Sequence, residues 1–279
     1  MTSKTRKITL GHSPDPDDAF MFYPLAKGLV ESGPYEFEHI LQDIETLNRR
    51  ATRGELDVTA LSLHAYAYVA DRYALLSCGA SIGDGYGPLV VAREPMSLDQ
   101  LRTRRIAVPG TLTTAYLALR LCLGEVAYNV VAFDQILKEV AEGRADAGLI
   151  IHEGQLTYGD LGLVKVVDLG EWWHEQTGLP LPLGANGIRR DIPAAEAAEI
   201  ARIVHDSIAY ALEHRDDALR HAMSWARDMD TERADRFVGM YVNDYTLDFG
   251  EKGRQAVTEL LRRAAAEGIV PAAPPIEFL

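Results

Sequence analysis

Residues 147–158 read AGLIIHEGQLTY. Ala147–Ile151 is a short apolar run with β-branched residues at its end, bounded upstream by Gly143 and Asp146. A run of this kind, without polar alternation, reads as a strand buried on both faces, as in a parallel sheet. His152 and Glu153 follow at its carboxyl end, and Gly154 opens a turn. In open α/β sheets ligands collect beyond the carboxyl ends of strands, and a histidine there can exchange a proton near neutral pH. A lone histidine after a strand is also commonly a hydrogen-bonded structural residue. Position alone leaves both roles open.

Upstream, the chain alternates strands with helices. Strands are expected at Lys7–His12, Tyr35–Leu41, Asp57–Leu61, Pro88–Arg93, Arg105–Val108 and Val126–Val131. The first ends in the loop Ser13-Pro14-Asp15-Pro16-Asp17-Asp18, where two prolines push the residues before them out of helical geometry. Asp17 and Asp18 then stand where a helix begins, and acidic side chains suit a helix amino terminus. Ser62 follows the third strand, as an N-cap or as a ligand donor; His64 falls inside the next helix and reads as structural. The loop Ala80–Gly87 is glycine-rich but lacks the spacing of a P-loop or a dinucleotide fingerprint. Thr111, Thr113 and Thr114 open an amphipathic helix. Free N–H groups with hydroxyls there can bind an anion, whereas threonine is also a normal N-cap.

Downstream, Leu163–Asp168 and Leu181–Arg189 read as further extended segments, with Trp172-Trp173 between them as packing residues. Beyond Pro193 the chain turns helical, with Ile200, Val204, Ile208 and Leu212 on one face. The layout predicts an α/β protein of two β/α domains: residues 1–93 plus 187–279, with 94–186 inserted. Two extended crossings make a hinge, and the cleft between the units is a natural small-molecule site.

Composition narrows the function classes. Hydrophobic residues make up 47% and charged residues 25% of the 279, which is the profile of a soluble globular protein. The net charge of −13, with no basic run at either end, argues against nucleic acid or an anionic membrane as partner. Any bound carboxylate must be held by local donors. Cys78 and Cys122 lack metal-ligand spacing and read as buried thiols in a reducing compartment. The apolar run near the amino terminus is too short for a secretory leader, so a cytoplasmic location is expected. A homodimer is compatible with the sequence.

Five segments carry a family resemblance: DIETLNR at 43–49, YGPLVVAR at 86–93, VPGTLTTAY at 108–116, AGLIIHEGQLTY at 147–158 and VVDLGEWWHEQTGLPLPLGA at 166–185. In order and spacing they resemble the 1,4-dihydroxy-6-naphthoate synthases of the futalosine route to menaquinone. The resemblance implies a two-lobed periplasmic-binding-protein-like (type II) fold with a helical carboxyl-terminal return. It implies a lyase acting on cyclic dehypoxanthine futalosine, without a redox cofactor or metal. His152 is the implied base, removing a carbon-bound proton from the sugar part; Ser62, Thr113 and Thr114 are implied to hold the ligand. Ser13, Asp17, Ile151 and Asn186 complete the set expected to face a carboxylate substrate. Two departures stand out. The family's first loop usually reads SPCPND, against SPDPDD here, and Asn186-Gly187 follows PLGA where familiar members carry larger apolar residues. The rival readings are a cytoplasmic carboxylate-binding protein on the same scaffold, without catalysis, and the sibling chorismate dehydratase activity.

Overall fold

The computed structural model describes residues 5–226 and 230–279. Residues 1–4, part of the stretch read above for a leader, lie outside the described residues. The strands run in chain order as β1 (Arg6–His12), β2 (Tyr35–Leu41), β3 (Val58–Ser62), β4 (Tyr73–Leu75), β5 (Ser81–Gly83) and β6 (Leu89–Ala92). They continue as β7 (Arg105–Val108), β8 (Ala127–Val130), β9 (Ala147–Ile150), β10 (Val164–Asp168) and β11 (Leu181–Arg189). The first sheet has the order β2-β1-β3-β11-β4, with β5 also pairing β11; the second has the order β10-β6-β9-β7-β8. Each sheet, with the helices on it, forms one lobe. The expected two-lobed α/β architecture is present.

Side-chain alternation explains why the central strands read as unbroken apolar runs. In β6, Leu89 and Val91 enter one core, shared with Ile136 and Val140, while Val90 and Ala92 enter the other, with Leu117 and Trp173. A strand covered on both faces needs apolar residues at every position. The same holds for β9. Its neighbours differ from the parallel pairing expected: β9 runs parallel to β7 and antiparallel to β6. Gly148 lets the helix Ile136–Ala141 sit directly on β9, since a Cβ there would come within 2.5 Å of Ile136 Cγ2. On the first lobe, Ile200, Val204 and Ile208 of the helix Ala194–Glu213 are fully buried against the same core as Ile8, Leu10 and Phe20.

Sheet membership moves both crossings earlier than boundaries at 93 and 187. β6 already belongs to the second sheet, so the outward crossing lies within 84–88. The whole of β11, including Leu181–Asn186, belongs to the first sheet, and the chain returns just after the helix Leu169–Thr177. The sequence pattern missed this because β6 and β11 are extended throughout, with no break marking where one sheet ends. The crossing is tightly built. A Cβ on Gly170 would lie 2.0 Å from the Tyr86 carbonyl oxygen and 2.5 Å from the Gly87 nitrogen. Both are backbone atoms with no rotamer to yield. Gly170→Ala should therefore destabilise the fold by about 1–3 kcal/mol or more through overpacking, read as a lower midpoint in urea unfolding; an unchanged midpoint would show that the crossing is not so constrained.

Candidate active site

A cavity of about 130 Å³ lies between the lobes, beyond the carboxyl ends of β1, β3 and β9. The first lobe supplies Ser13, Asp15, Asp17 and Asp18 from the β1 loop, Ser62 from β3, and Gly184–Asn186 from β11. The second lobe supplies Thr113–Ala115 and Ile151. Tyr241, from the helix Thr231–Tyr241, closes the far wall.

The serine and threonines are held by contacts that cross between lobes. Asn48 donates from Nδ2 to Ser62 Oγ (2.9 Å) and to the Leu112 carbonyl (3.3 Å), while its Oδ1 accepts from the Ser62 N–H (2.9 Å). Ser62 has N-cap backbone geometry but makes no side-chain cap. Thr113 does cap, accepting from the Tyr116 N–H at 3.2 Å and donating to the Gly110 carbonyl at 3.1 Å. Thr114 Oγ1 accepts from the His64 N–H (3.2 Å), and His64 Nδ1 lies 3.2 Å from the Thr113 carbonyl oxygen. Burial lowers the His64 pKa to about 4, so this ring is a neutral strut. Among the described residues the hydroxyl protons of Ser62 and Thr114 meet no protein acceptor, leaving two donors for a ligand.

The opposite wall is acidic. The helix Pro16–Ala26 starts with Asp15 at the N-cap, but the Asp15 side chain does not cap it. Ser13 is tied back instead: its N–H donates to Asp18 (2.6 Å) and its hydroxyl to Asp15 (3.0 Å). The lining includes no lysine or arginine among the described residues. Desolvation, reinforced by Asp18 and Asp15, pushes the Asp17 carboxyl well above its usual range. Desolvation and Asp15 likewise raise Asp18 to about 7, against the opposing hydrogen bond from Ser13. The expectation that both aspartates serve the helix terminus is corrected: Asp18 accepts from the loop behind it.

Ser13, Asp17, Ser62, Thr113, Thr114, Ile151 and Asn186 all line this cavity. His152 does not. Its ring is buried beside Phe133, with Nε2 donating to the Phe133 carbonyl (2.8 Å) and Nδ1 accepting from the Gly154 N–H (2.9 Å). The side chain after Ile151 points to the other face of the strand end, so the neighbour takes the cavity position. Burial alone would lower the His152 pKa. Glu153, 3.5 Å from Nδ1, together with Asp15 and the Phe133 carbonyl, outweighs that and raises it. Tyr241 carried no signal in the sequence, because its spacing with Phe237 and Val238 is that of any buried helix face. Its hydroxyl donates to Gln155 of the second lobe at 2.9 Å.

A family model described as menaquinone biosynthesis matches residues 8–266. The chain belongs to this family. It is 48% identical over 267 residues to a 1,4-dihydroxy-6-naphthoate synthase of Thermus thermophilus, covering 96% of this chain and 97% of that protein. It is 42% identical over 276 residues to the enzyme of the same name from Streptomyces coelicolor, covering 96% of each. A solved structure from Archaeoglobus fulgidus superposes with a TM-score of 0.91 at 50% identity, covering 95% of this chain and 98% of that one. The alkanesulfonate-binding protein of Xanthomonas axonopodis superposes with a TM-score of 0.72 at 11% identity, covering 98% of each chain. That likeness establishes the periplasmic-binding-protein-like fold. Among the described residues, no helix of this family member is long and apolar enough to cross a membrane.

The raised Asp18 carboxyl gives a pH signature. An unfolded aspartate releases its proton near 3.8, whereas the folded one holds it up to about 7. The folded state therefore carries the extra proton in that window, and this group's contribution to stability falls as pH rises through it. Asp18→Asn, which cannot ionise, should lose less stability than the parent between about pH 5 and pH 8, as measured by urea unfolding at both values. Equal losses would show that Asp18 titrates normally.

Proposed function

We propose that this chain is a lyase converting cyclic dehypoxanthine futalosine to 1,4-dihydroxy-6-naphthoate. The observation that carries the reading is near full-length identity of 48% and 42% to two proteins of that name, joined to a cavity between lobes with a donor wall and an acidic wall. The substrate carboxylate is read as accepting from Ser62 and Thr114, whose hydroxyl protons are uncommitted. The acidic wall, when ionised, would repel it. A biosynthetic role of this kind also carries our placement of the chain in the cytoplasm.

The chemistry assigned is proton removal from carbon in the sugar part, followed by ring opening and elimination, releasing the naphthoate and a sugar-derived fragment. His152 is read as the base. In the arrangement described here its ring faces away from the cavity, so the reading requires the ring to leave the Gly154 N–H and turn past Ile151 when substrate enters. A general base contributes roughly 10²–10⁴-fold in rate. A second assignment is favoured by position: Asp18 is already on the cavity wall and, with its pKa near 7, accepts and returns protons at neutral pH.

The test is turnover of cyclic dehypoxanthine futalosine by purified protein, followed by naphthoate fluorescence. The parent should form product. His152→Asn should lower kcat by about 10²–10⁴-fold, and by more than Asp18→Asn. The reverse order would move the base to Asp18. Binding without any product from the parent would leave a small-molecule binding protein on the same scaffold.

A further inference from the structure

One buried acceptor in the cavity wall has no protein donor. Asn186 is 2% exposed, lines the cavity, and its Oδ1 makes no hydrogen bond among the described residues. The orientation of the amide is determined by its other end. Nδ2 donates to the Gly79 carbonyl at 3.3 Å, and turning the amide over would set oxygen against oxygen. The amide also packs onto the bare Cα of Gly79, where a Cβ would come within 2.0 Å of Nδ2. Gly79 sits at φ +77°, a conformation that favours glycine. The two residues thus fit each other, and the lone pairs of Oδ1 are left without a donor.

A buried polar atom is stabilised only when something donates to it. In the free protein Oδ1 is buried from solvent and goes without one. A ligand gains at this atom only if it brings a donor of its own. A carboxylate brings acceptors, and the ionised forms of Asp17 and Asp18, which line the same cavity, make that end of a substrate less welcome still. An apolar ring edge brings nothing. The part of the proposed substrate that offers donors in number is its sugar.

We infer that Asn186 is a specificity-determining contact of this site, its Oδ1 accepting a hydrogen bond from a hydroxyl of the substrate's sugar part. The inference rests on the function proposed above and orients the substrate within it: carboxylate toward Ser62 and Thr114, sugar toward Asn186.

The test compares two compounds on the parent, Asn186→Leu and Asn186→Ala, judged on whichever variant keeps the parent's melting temperature. One is cyclic dehypoxanthine futalosine, read as kcat/KM; the other is 1,4-dihydroxy-6-naphthoate, which lacks the sugar, read as Kd by fluorescence titration. The expected result is a fall of about 10- to 100-fold in kcat/KM for the precursor, with the Kd of the naphthoate within about twofold of the parent. Equal losses for both compounds, or no loss for either, would overturn the inference while leaving the lyase reading in place. A parent protein that neither turns over nor binds the precursor would overturn the functional reading, and this inference with it.

Discussion

The two lobes meet on a buried carboxylate. Glu45, in the helix Ile44–Ala51 of the first lobe, accepts the Leu112 N–H of the second at 3.0 Å, while its other oxygen pairs with Arg49 at 2.8 Å. Hydrogen bonds to a charged group contribute about 1.5–3 kcal/mol, on the scale that separates open and closed forms of hinged proteins. Gly110 permits the approach, since a Cβ there would overlap the Glu45 carboxylate. One turn further along the same helix, Asn48 reaches both the Leu112 carbonyl and Ser62. The contact that shuts the lobes therefore also sets the serine beside the threonines. Parting the lobes would thus take the donor wall apart as well as open the cavity.

Closure also decides the electrostatics. The chain carries 41 acidic against 28 basic residues, and the cavity concentrates this imbalance by placing three aspartates on one wall. Shutting water out raises the proton affinity of Asp17 and Asp18, so closing and protonation favour each other. A neutral carboxyl is a donor as well as an acceptor. The wall that would repel an acid when ionised can then hold it, and Asp18, raised to about 7, passes between these conditions near neutral pH.

Much of this architecture was legible in the residues, and the failures have physical causes. Strand ends and helix starts declared themselves through prolines, threonines and short apolar runs, whereas the grouping of Ser62, Thr113 and Thr114 on one ligand came from the family resemblance, since each also reads as a plain cap. What a one-dimensional pattern cannot carry is the direction of a side chain at the end of a strand. Ile151 and His152 are adjacent, yet only one can face the cavity, and nothing in IIHE says which. Nor can it carry the passage of an unbroken extended segment such as β6 or β11 into a given sheet, or the arrival of Tyr241 from far along the chain. These are decided by tertiary packing.

The placement of His152 fits a group whose charge changes with closure. Neutral, the ring accepts from the Gly154 N–H; protonated, it can donate from the same nitrogen to Glu153, 3.5 Å away. Few buried histidines find a partner in both states. Asp15, which helps to raise the His152 pKa, stands on the first lobe, whereas the imidazole belongs to the second. Separating the lobes would remove that carboxylate's contribution, which works against the lowering by burial. For the base proposed above, that carboxylate is a contribution to basicity that depends on the lobes being together. Gly154 takes part in the same arrangement. A Cβ there would come within 2.7 Å of the ring, so the glycine after IIHE is what allows the imidazole to fold back against its own loop at all.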